Sequence, residues 1–157
     1  MNLRFNSNAI VTNSKGEILL VRLKKGPFAG GLCIPGGGID PGELSHDAIN
    51  REVLEETGIQ IKNQFYPIGY CELIHDGVKD HRIVLLFHST SDEIPRDTEE
   101  GEAMWMKYEE MGEKLIPFAR ESIKMWKEGR NYFKLIGGRD WSDEELEDLA
   151  NLFSERI

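Results

Sequence analysis

Three features that are scarce or missing in this 157-residue chain limit what it can be. It has only two cysteines, Cys33 and Cys71, which excludes a disulfide framework and favours a reducing, cytoplasmic compartment. No apolar run approaches the roughly 18 residues of a membrane-spanning helix. The N-terminus also lacks the apolar core of a signal peptide. We therefore expect a cytoplasmic protein with no membrane partner.

Basic residues are also few. The chain has 19 lysines and arginines against 28 aspartates and glutamates, for a formal net charge of −9. Proteins that bind nucleic-acid polymers usually present a basic surface, so we expect no such partner. A small nucleotide stays compatible with this charge, because a divalent metal ion can mask its phosphates. The chain has no internal repeat, and its length fits one domain with a core of its own.

The apolar pattern predicts several strands and few helices, which is typical of an α/β protein. The predicted strands cover residues 9–12, 18–23, 32–34, 59–62, 66–74, 82–88 and 102–108. A helix is predicted over 46–57, with Ser45 as its N-cap and Gly58 as the residue that ends it. A second helix should begin at Pro117.

Residues 131–157 are expected to form an extension of a main domain that covers residues 1–130. The sequence from Ser142 to Glu145 fits a capping box, so a helix should run from there to the end of the printed sequence. It carries an apolar stripe on an acidic background, here called the C-terminal stripe: Leu146, Leu149, Ala150 and Phe153. Three positions stay open for this helix: on its own domain, at the interface of a homodimer, or over the mouth of the pocket.

The segment REVLEETGI, residues 51–59, concentrates acidic residues on the first predicted helix. At about 100° per residue, Glu52, Glu55 and Glu56 share one narrow face. Like charges at this spacing destabilise a helix. Two readings stay open from the helix alone: a solvated acidic face, or a site where Mg²⁺ or Mn²⁺ binds carboxylate oxygens. Arg51 lies four residues before Glu55 and is expected to orient it.

The segment PGGGIDPGE just upstream favours the second reading. Its glycines let the backbone approach a ligand closely. Combined with the helix, it completes one pattern over residues 37–59: Gly37, five residues, Glu43, seven residues, Arg51-Glu52-Val53, Glu55-Glu56 and Gly58-Ile59. This pattern resembles the box of the Nudix hydrolase family at every specified position. The resemblance extends over about residues 5–125.

The resemblance implies an α/β/α sandwich around a mixed sheet. It also implies Mg²⁺- or Mn²⁺-dependent hydrolysis of a nucleoside diphosphate linked to another group, with water attacking phosphorus. The implied metal ligands are Glu52, Glu55, Glu56 and a main-chain carbonyl near Gly36, with Glu43 in support. Arg51 is expected to orient rather than react. The general base would be a box glutamate or a downstream loop carboxylate, and of Glu99, Glu100 and Glu102 we favour Glu102, which directly precedes a strand.

Substrate phosphates also need cations. The candidates are Arg22, Lys24, Lys25, His81 and Arg82, of which Arg22 and Arg82 are favoured. Phe28, Tyr70 or Trp105 could stack on a base, although aromatic residues on strands are more often part of a core.

The substrate is less constrained than the reaction. Signatures that relatives use for ADP-ribose, dinucleoside polyphosphates, NADH and coenzyme A are not found outside the box. We therefore expect a nucleoside triphosphate, with ADP-ribose or a nucleotide sugar as the alternative. A non-catalytic ligand-sensing module is the alternative from another class, and every box carboxylate being present argues against it.

Overall fold

A computed structural model describes residues 2–24, 28–75 and 80–137 of the chain. The strands are β1 (Asn2–Thr12), β2 (Ile18–Arg22), β3 (Leu32–Cys33), β4 (Gly36–Gly38), β5 (Tyr66–His75), β6 (Asp80–Thr90), β7 (Glu102–Met106) and β8 (Tyr132–Ile136). The α-helices are α1 (Ser45–Thr57), α2 (Tyr108–Met111) and α3 (Pro117–Lys127). Within the described ranges, no helix is long and apolar enough to cross a membrane.

All eight strands join one mixed sheet. Its main order is β3-β2-β1-β6-β5-β8, with β4 paired to β1 and β7 paired to β2. The β1–β6 and β5–β8 pairs are parallel and the other pairs are antiparallel. β1 therefore lies at the centre of the sheet, and it carries β4, the strand formed by the box glycines, along its side.

Side chains that alternate along the strands build one core on each face of the sheet. Ile10 of β1 packs in a core with Phe118 and Ile123 of α3. Its neighbours in β1, Ala9 and Val11, point the other way and pack with Ile49 and Val53 of α1. The sheet thus lies between α1 and α3, which confirms the α/β sandwich.

Helix α1 differs from the prediction at its start. Ser45 was predicted as the N-cap, but the Ala48 N–H donates to the carbonyl of Leu44, so the helix begins at Ser45 and Leu44 caps it without a side-chain hydrogen bond. Its end is as predicted. Gly58 has a left-handed φ of 74°, and its N–H donates to Leu54 O at 2.9 Å.

The sequence prediction was wrong for one strand and missed two. Residues 59–62 form no strand, because the apolar pattern there reflects burial of Ile59 and Ile61 in the α1 core without any partner strand. The strands that were not predicted are β4 and β8. The predicted C-terminal helix and Lys25 lie outside the described residues.

Candidate functional site

Two of the three box glutamates of α1 point into the protein. Glu52 and Glu56 are each only 1% exposed, although carboxylates are rarely buried to this extent without a partner. Glu55 lies at the exposed edge of the same helix. The shared face predicted from spacing is therefore divided into two buried carboxylates and one that faces solvent.

A third carboxylate reaches the buried pair from the opposite side. Ligand atoms of Glu52, Glu56 and Glu100 all lie within 4.8 Å of one another, and this is the only such acidic group among the residues that the structure describes. Glu100 belongs to a turn closed by backbone hydrogen bonds between Thr98 and Gly101. The Thr98 hydroxyl fixes this turn against α1 by donating to Glu56 O at 3.3 Å.

The glycines of β4 form the wall of this cluster. The Gly36 N–H donates to Glu56 Oε1 at 3.2 Å. A methyl group added at Gly37 would lie 2.5 Å from Glu52 Oε1, so any larger residue would displace the carboxylate. The backbone therefore approaches both buried carboxylates as closely as only glycine allows.

Arg51 holds the carboxylates around the site in place. Its Nε and Nη2 donate to the two oxygens of Glu43 at 2.8 and 2.9 Å, a bidentate pair. Its Nη1 donates to Glu52 Oε1 at 2.9 Å and to Glu55 Oε2 at 3.5 Å. The predicted orienting contact with Glu55 is thus present but is the longest of the set, and Glu43 is the main partner.

The surroundings of Glu52 and Glu43 shift the pKa values of these two glutamates in opposite directions. Burial raises the pKa of Glu52, and the charge of Arg51 opposes the rise only in part. The hydrogen bond from Arg51 lowers the pKa of Glu43. Glu52 is therefore the more readily protonated of the two, and a bound cation would favour its ionised form.

The favoured loop carboxylate, Glu102, has another partner. Its Oε2 accepts from Arg22 Nε at 3.0 Å, because the β2–β7 pairing sets the two residues opposite each other. Arg22 and Lys24 line an open cavity of about 200 Å³ beside the Glu100 turn, together with Thr98 and Gly101. The structure thus brings the predicted cation Arg22 near the site and brings Glu100, rather than Glu102, to the box glutamates.

Arg82 occupies a different environment. It is 1% exposed and donates from Nε to Asp80 Oδ2 at 2.8 Å. Burial lowers its pKa. It alternates with Ile83 and points to the side of the sheet where Val84 packs with α3, away from α1. Its role as a substrate cation stays a prediction.

The aromatic candidates and His81 do not gather at the glutamates. Trp105 packs against the α1 core and donates from Nε1 to Glu93 O at 3.0 Å. Phe28 packs against the α3 core. The Tyr70 ring contacts the Tyr132 ring at a tilt of 55°, with centroids 5.0 Å apart, and His81 pairs with Glu72.

Sequence reasoning missed polar residues of β1. Asn6 is fully buried, and neither polar atom of its side chain has a hydrogen-bond partner among the described residues. Asn8 donates to Ile34 O at 3.4 Å and contacts Gly36. One feature of the sequence could have indicated these buried polar residues. The polar run Asn6-Ser7-Asn8 directly precedes the apolar run Ala9-Ile10-Val11, and that apolar run marks a buried strand, not a surface strand.

Comparison with known proteins agrees with this geometry. The model of the NUDIX domain family matches residues 3–127. NAD-capped RNA hydrolase NudC of Pseudomonas syringae pv. tomato is 30% identical over 113 residues, which cover 69% of this chain and 38% of NudC. Nucleoside triphosphatase NudI of Escherichia coli K12 is 32% identical over 108 residues, or 61% of this chain and 77% of NudI.

A solved structure shows the same fold. The MutT protein of Methanosarcina mazei superposes with a TM-score of 0.69 at 25% identity, over 80% of this chain and 94% of that protein. The chain spans only about a third of the length of several curated relatives it matches. Because the family model covers residues 3–127, which is most of the sequence, the chain belongs to the NUDIX domain family.

Proposed function

We propose that this chain is a metal-dependent pyrophosphohydrolase that cleaves the diphosphate linkage of a nucleoside triphosphate by attack of water at phosphorus. One observation carries the proposal: the carboxylates of Glu52, Glu56 and Glu100 converge within 4.8 Å, with the first two buried. Three carboxylates this close repel one another, so the arrangement fits a cation better than it fits a solvated acidic surface.

The donor set fits Mg²⁺ or Mn²⁺, which bind carboxylate oxygens. Glu52, Glu56 and Glu100 would hold the ion, with Glu55 on the solvent side, since Arg51 Nη1 contacts both Glu52 and Glu55. When bound, the ion would lower the pKa of a coordinated water and neutralise charge on phosphate oxygens. Glu43 keeps its supporting role through Arg51, and the main chain of Gly36 stays a proposed contact beside Glu56.

The chain's own residues supply the remaining chemistry. Glu100 is exposed and lies in the glutamate cluster, so it is our proposed acceptor for the proton of the attacking water. Arg22 forms an exposed ion pair with Glu102 and donates from Nη1 to the Gly30 carbonyl at 2.9 Å. The ion pair is easily replaced by a phosphate group. Lys24, in the same cavity, adds a second positive charge.

A hydrolysis screen tests the proposal. It should include canonical and oxidised nucleoside triphosphates, ADP-ribose, nucleotide sugars and dinucleoside polyphosphates, each with Mg²⁺ and with Mn²⁺. We expect a triphosphate to be cut to a monophosphate and pyrophosphate, both identified by chromatography. A preference for ADP-ribose or a nucleotide sugar would change the proposed substrate but not the proposed type of reaction. If none of these compounds is hydrolysed although calorimetry shows that the metal binds, a non-catalytic sensing module is favoured instead.

Two neighbouring glutamates separate the candidates for the base. We expect Glu100→Gln to lower kcat at least about 100-fold, because it removes a carboxylate proposed both to hold the ion and to accept the proton. Glu102→Gln removes only an exposed ion pair and should lower kcat less than about fivefold. Steady-state kinetics at saturating metal would check this. The opposite ranking of the two variants would return the role to Glu102.

A further inference from the structure

Among the residues that the structure describes, no helix covers one half of the α1 side of the sheet. Rows of side chains on this side cross four strands, because Leu3 pairs with His81, which pairs with Ile74, which pairs with Ile136. This surface, here called the uncovered face, consists of Leu3, Phe5, Tyr70, Ile74, Ile83 and Tyr132. Leu3 is 52% exposed, Phe5 46% and Tyr70 43%. So much exposed apolar surface in one patch marks a contact surface.

Helix α1 leaves this half open because it packs on the other half. Its first residue accepts a hydrogen bond from the Ser7 hydroxyl at 3.1 Å. The ring of the next residue, His46, lies edge-on against Phe87, with centroids 4.9 Å apart. The strands extend beyond α1 toward Leu3 and Phe5, and among the described helices α3 belongs to the opposite face.

Three polar groups of the uncovered face already have partners, whereas Lys134, which alternates with Tyr132 on the same side of β8, is exposed. Glu72 accepts from the Tyr132 hydroxyl at 3.1 Å through one oxygen and contacts His81 Nε2 at 3.1 Å through the other. A partner therefore needs to supply apolar side chains and, for Lys134, a group that accepts a hydrogen bond.

The chain leaves the described residues beside this face. Ile136 pairs with Ile74, and the next N–H, that of Gly137, donates to Ile74 O at 2.7 Å. Residues 142–157 carry the C-terminal stripe and, as a helix, would be about 24 Å long and about 10 Å wide. The four strands lie about 14 Å apart from first to last, so the helix is large enough to cover the apolar rows.

We propose that residues 142–157 form a helix that packs the C-terminal stripe on the uncovered face of the same chain. The short connection from Gly137 keeps the stripe at high effective concentration near this face, which favours it over a second copy. The inference is independent of the proposed activity, because it involves none of the box glutamates.

Thiol accessibility tests the packing in the full-length chain without metal or substrate. The native cysteines are buried, so a Leu3→Cys variant reports on the uncovered face with little background. We expect its reaction with a disulfide reagent to be about tenfold or more slower than in the same variant carrying Leu149→Asp and Phe153→Asp. The matched control adds the same charges outside the stripe, as Asn151→Asp on the opposite side of the helix and Ser154→Asp at the edge of the stripe, and should keep most of the protection.

An Ile94→Cys variant calibrates the assay, because Ile94 is 90% exposed and should react at the same fast rate in every background. Circular dichroism would verify that each variant is folded, and Tyr70→Cys gives a second reporter if Leu3→Cys is not. Equal rates with and without the stripe substitutions would overturn the proposal. Protection that increases with protein concentration would also overturn it, because the stripe would then cover a second copy.

Discussion

Replacing Glu56 by Gln is expected to lower kcat/KM about 100- to 1,000-fold, which corresponds to the several kcal/mol of charge stabilisation that a held metal ion supplies. The substitution isolates charge from shape. Gln has the same size, and its Oε1 can still accept the Gly36 N–H that lies 3.2 Å from Glu56. Kinetics at increasing Mg²⁺ and calorimetric titration with the ion should both show the loss, because one negative ligand is gone.

The matched control lies on the same helix. Asp47→Asn also removes one negative charge from α1, but Asp47 is exposed in the first turn and away from the cluster. It should keep kcat/KM within about twofold, since helix-end charges contribute only tenths of a kcal/mol to 1 kcal/mol to stability. Unchanged hydrolysis by Glu56→Gln would refute the metal assignment of the buried pair.

The second large effect is expected from Gly36→Ala, which should lower the free energy of unfolding by about 3 kcal/mol or more. The φ of Gly36 is 153°, and an added Cβ would lie 2.3 Å from the backbone oxygen of Ser7. Backbone atoms in a central strand cannot move aside cheaply. Urea denaturation would measure the loss, and catalysis should fall with it because β4 shapes the wall beside Glu56.

Gly42→Ala separates conformational strain from crowding. Gly42 also has a positive φ, 85°, but nothing lies within 4 Å of an added Cβ. Strain alone should cost about 1 kcal/mol of unfolding free energy. If the two variants lose the same stability, close approach of β4 to β1 contributes nothing beyond the backbone conformation.

The box could be predicted from sequence because its geometry is local. A helical repeat fixes where Glu52 and Glu56 point relative to Arg51, and Gly58 ends the helix whatever surrounds it. Burial further divides the three box glutamates into two buried side chains and one exposed side chain. Spacing alone could not tell that Glu55 would stay exposed while Glu52 and Glu56 meet the β4 glycines, since that depends on which side of α1 faces the sheet.

The loop carboxylate and the missing strands depend on contacts between distant segments. Glu102 pairs with Arg22 only because β2 and β7 align in that register, which leaves Glu100 to reach the helix. The three glycines of β4 have little intrinsic tendency to form a strand and do so by pairing with β1. β8 joins the edge of the sheet by pairing with β5. The sequence of its five residues alone does not indicate that partner.

The parallel pairing of β1 with β6 has a consequence for the order in which the protein forms. Asn2 pairs with Asp80 and Thr12 with Thr90. β1 can therefore complete its pairing only after β6, which is synthesised much later, is available. β4 pairs with that same strand at Asn6–Asn8. Closing so long a loop slows folding, since its entropy is lost before the contacts compensate. A nascent chain can thus expose the entire box and still lack the proposed metal site until β6 and the Glu100 turn have left the ribosome.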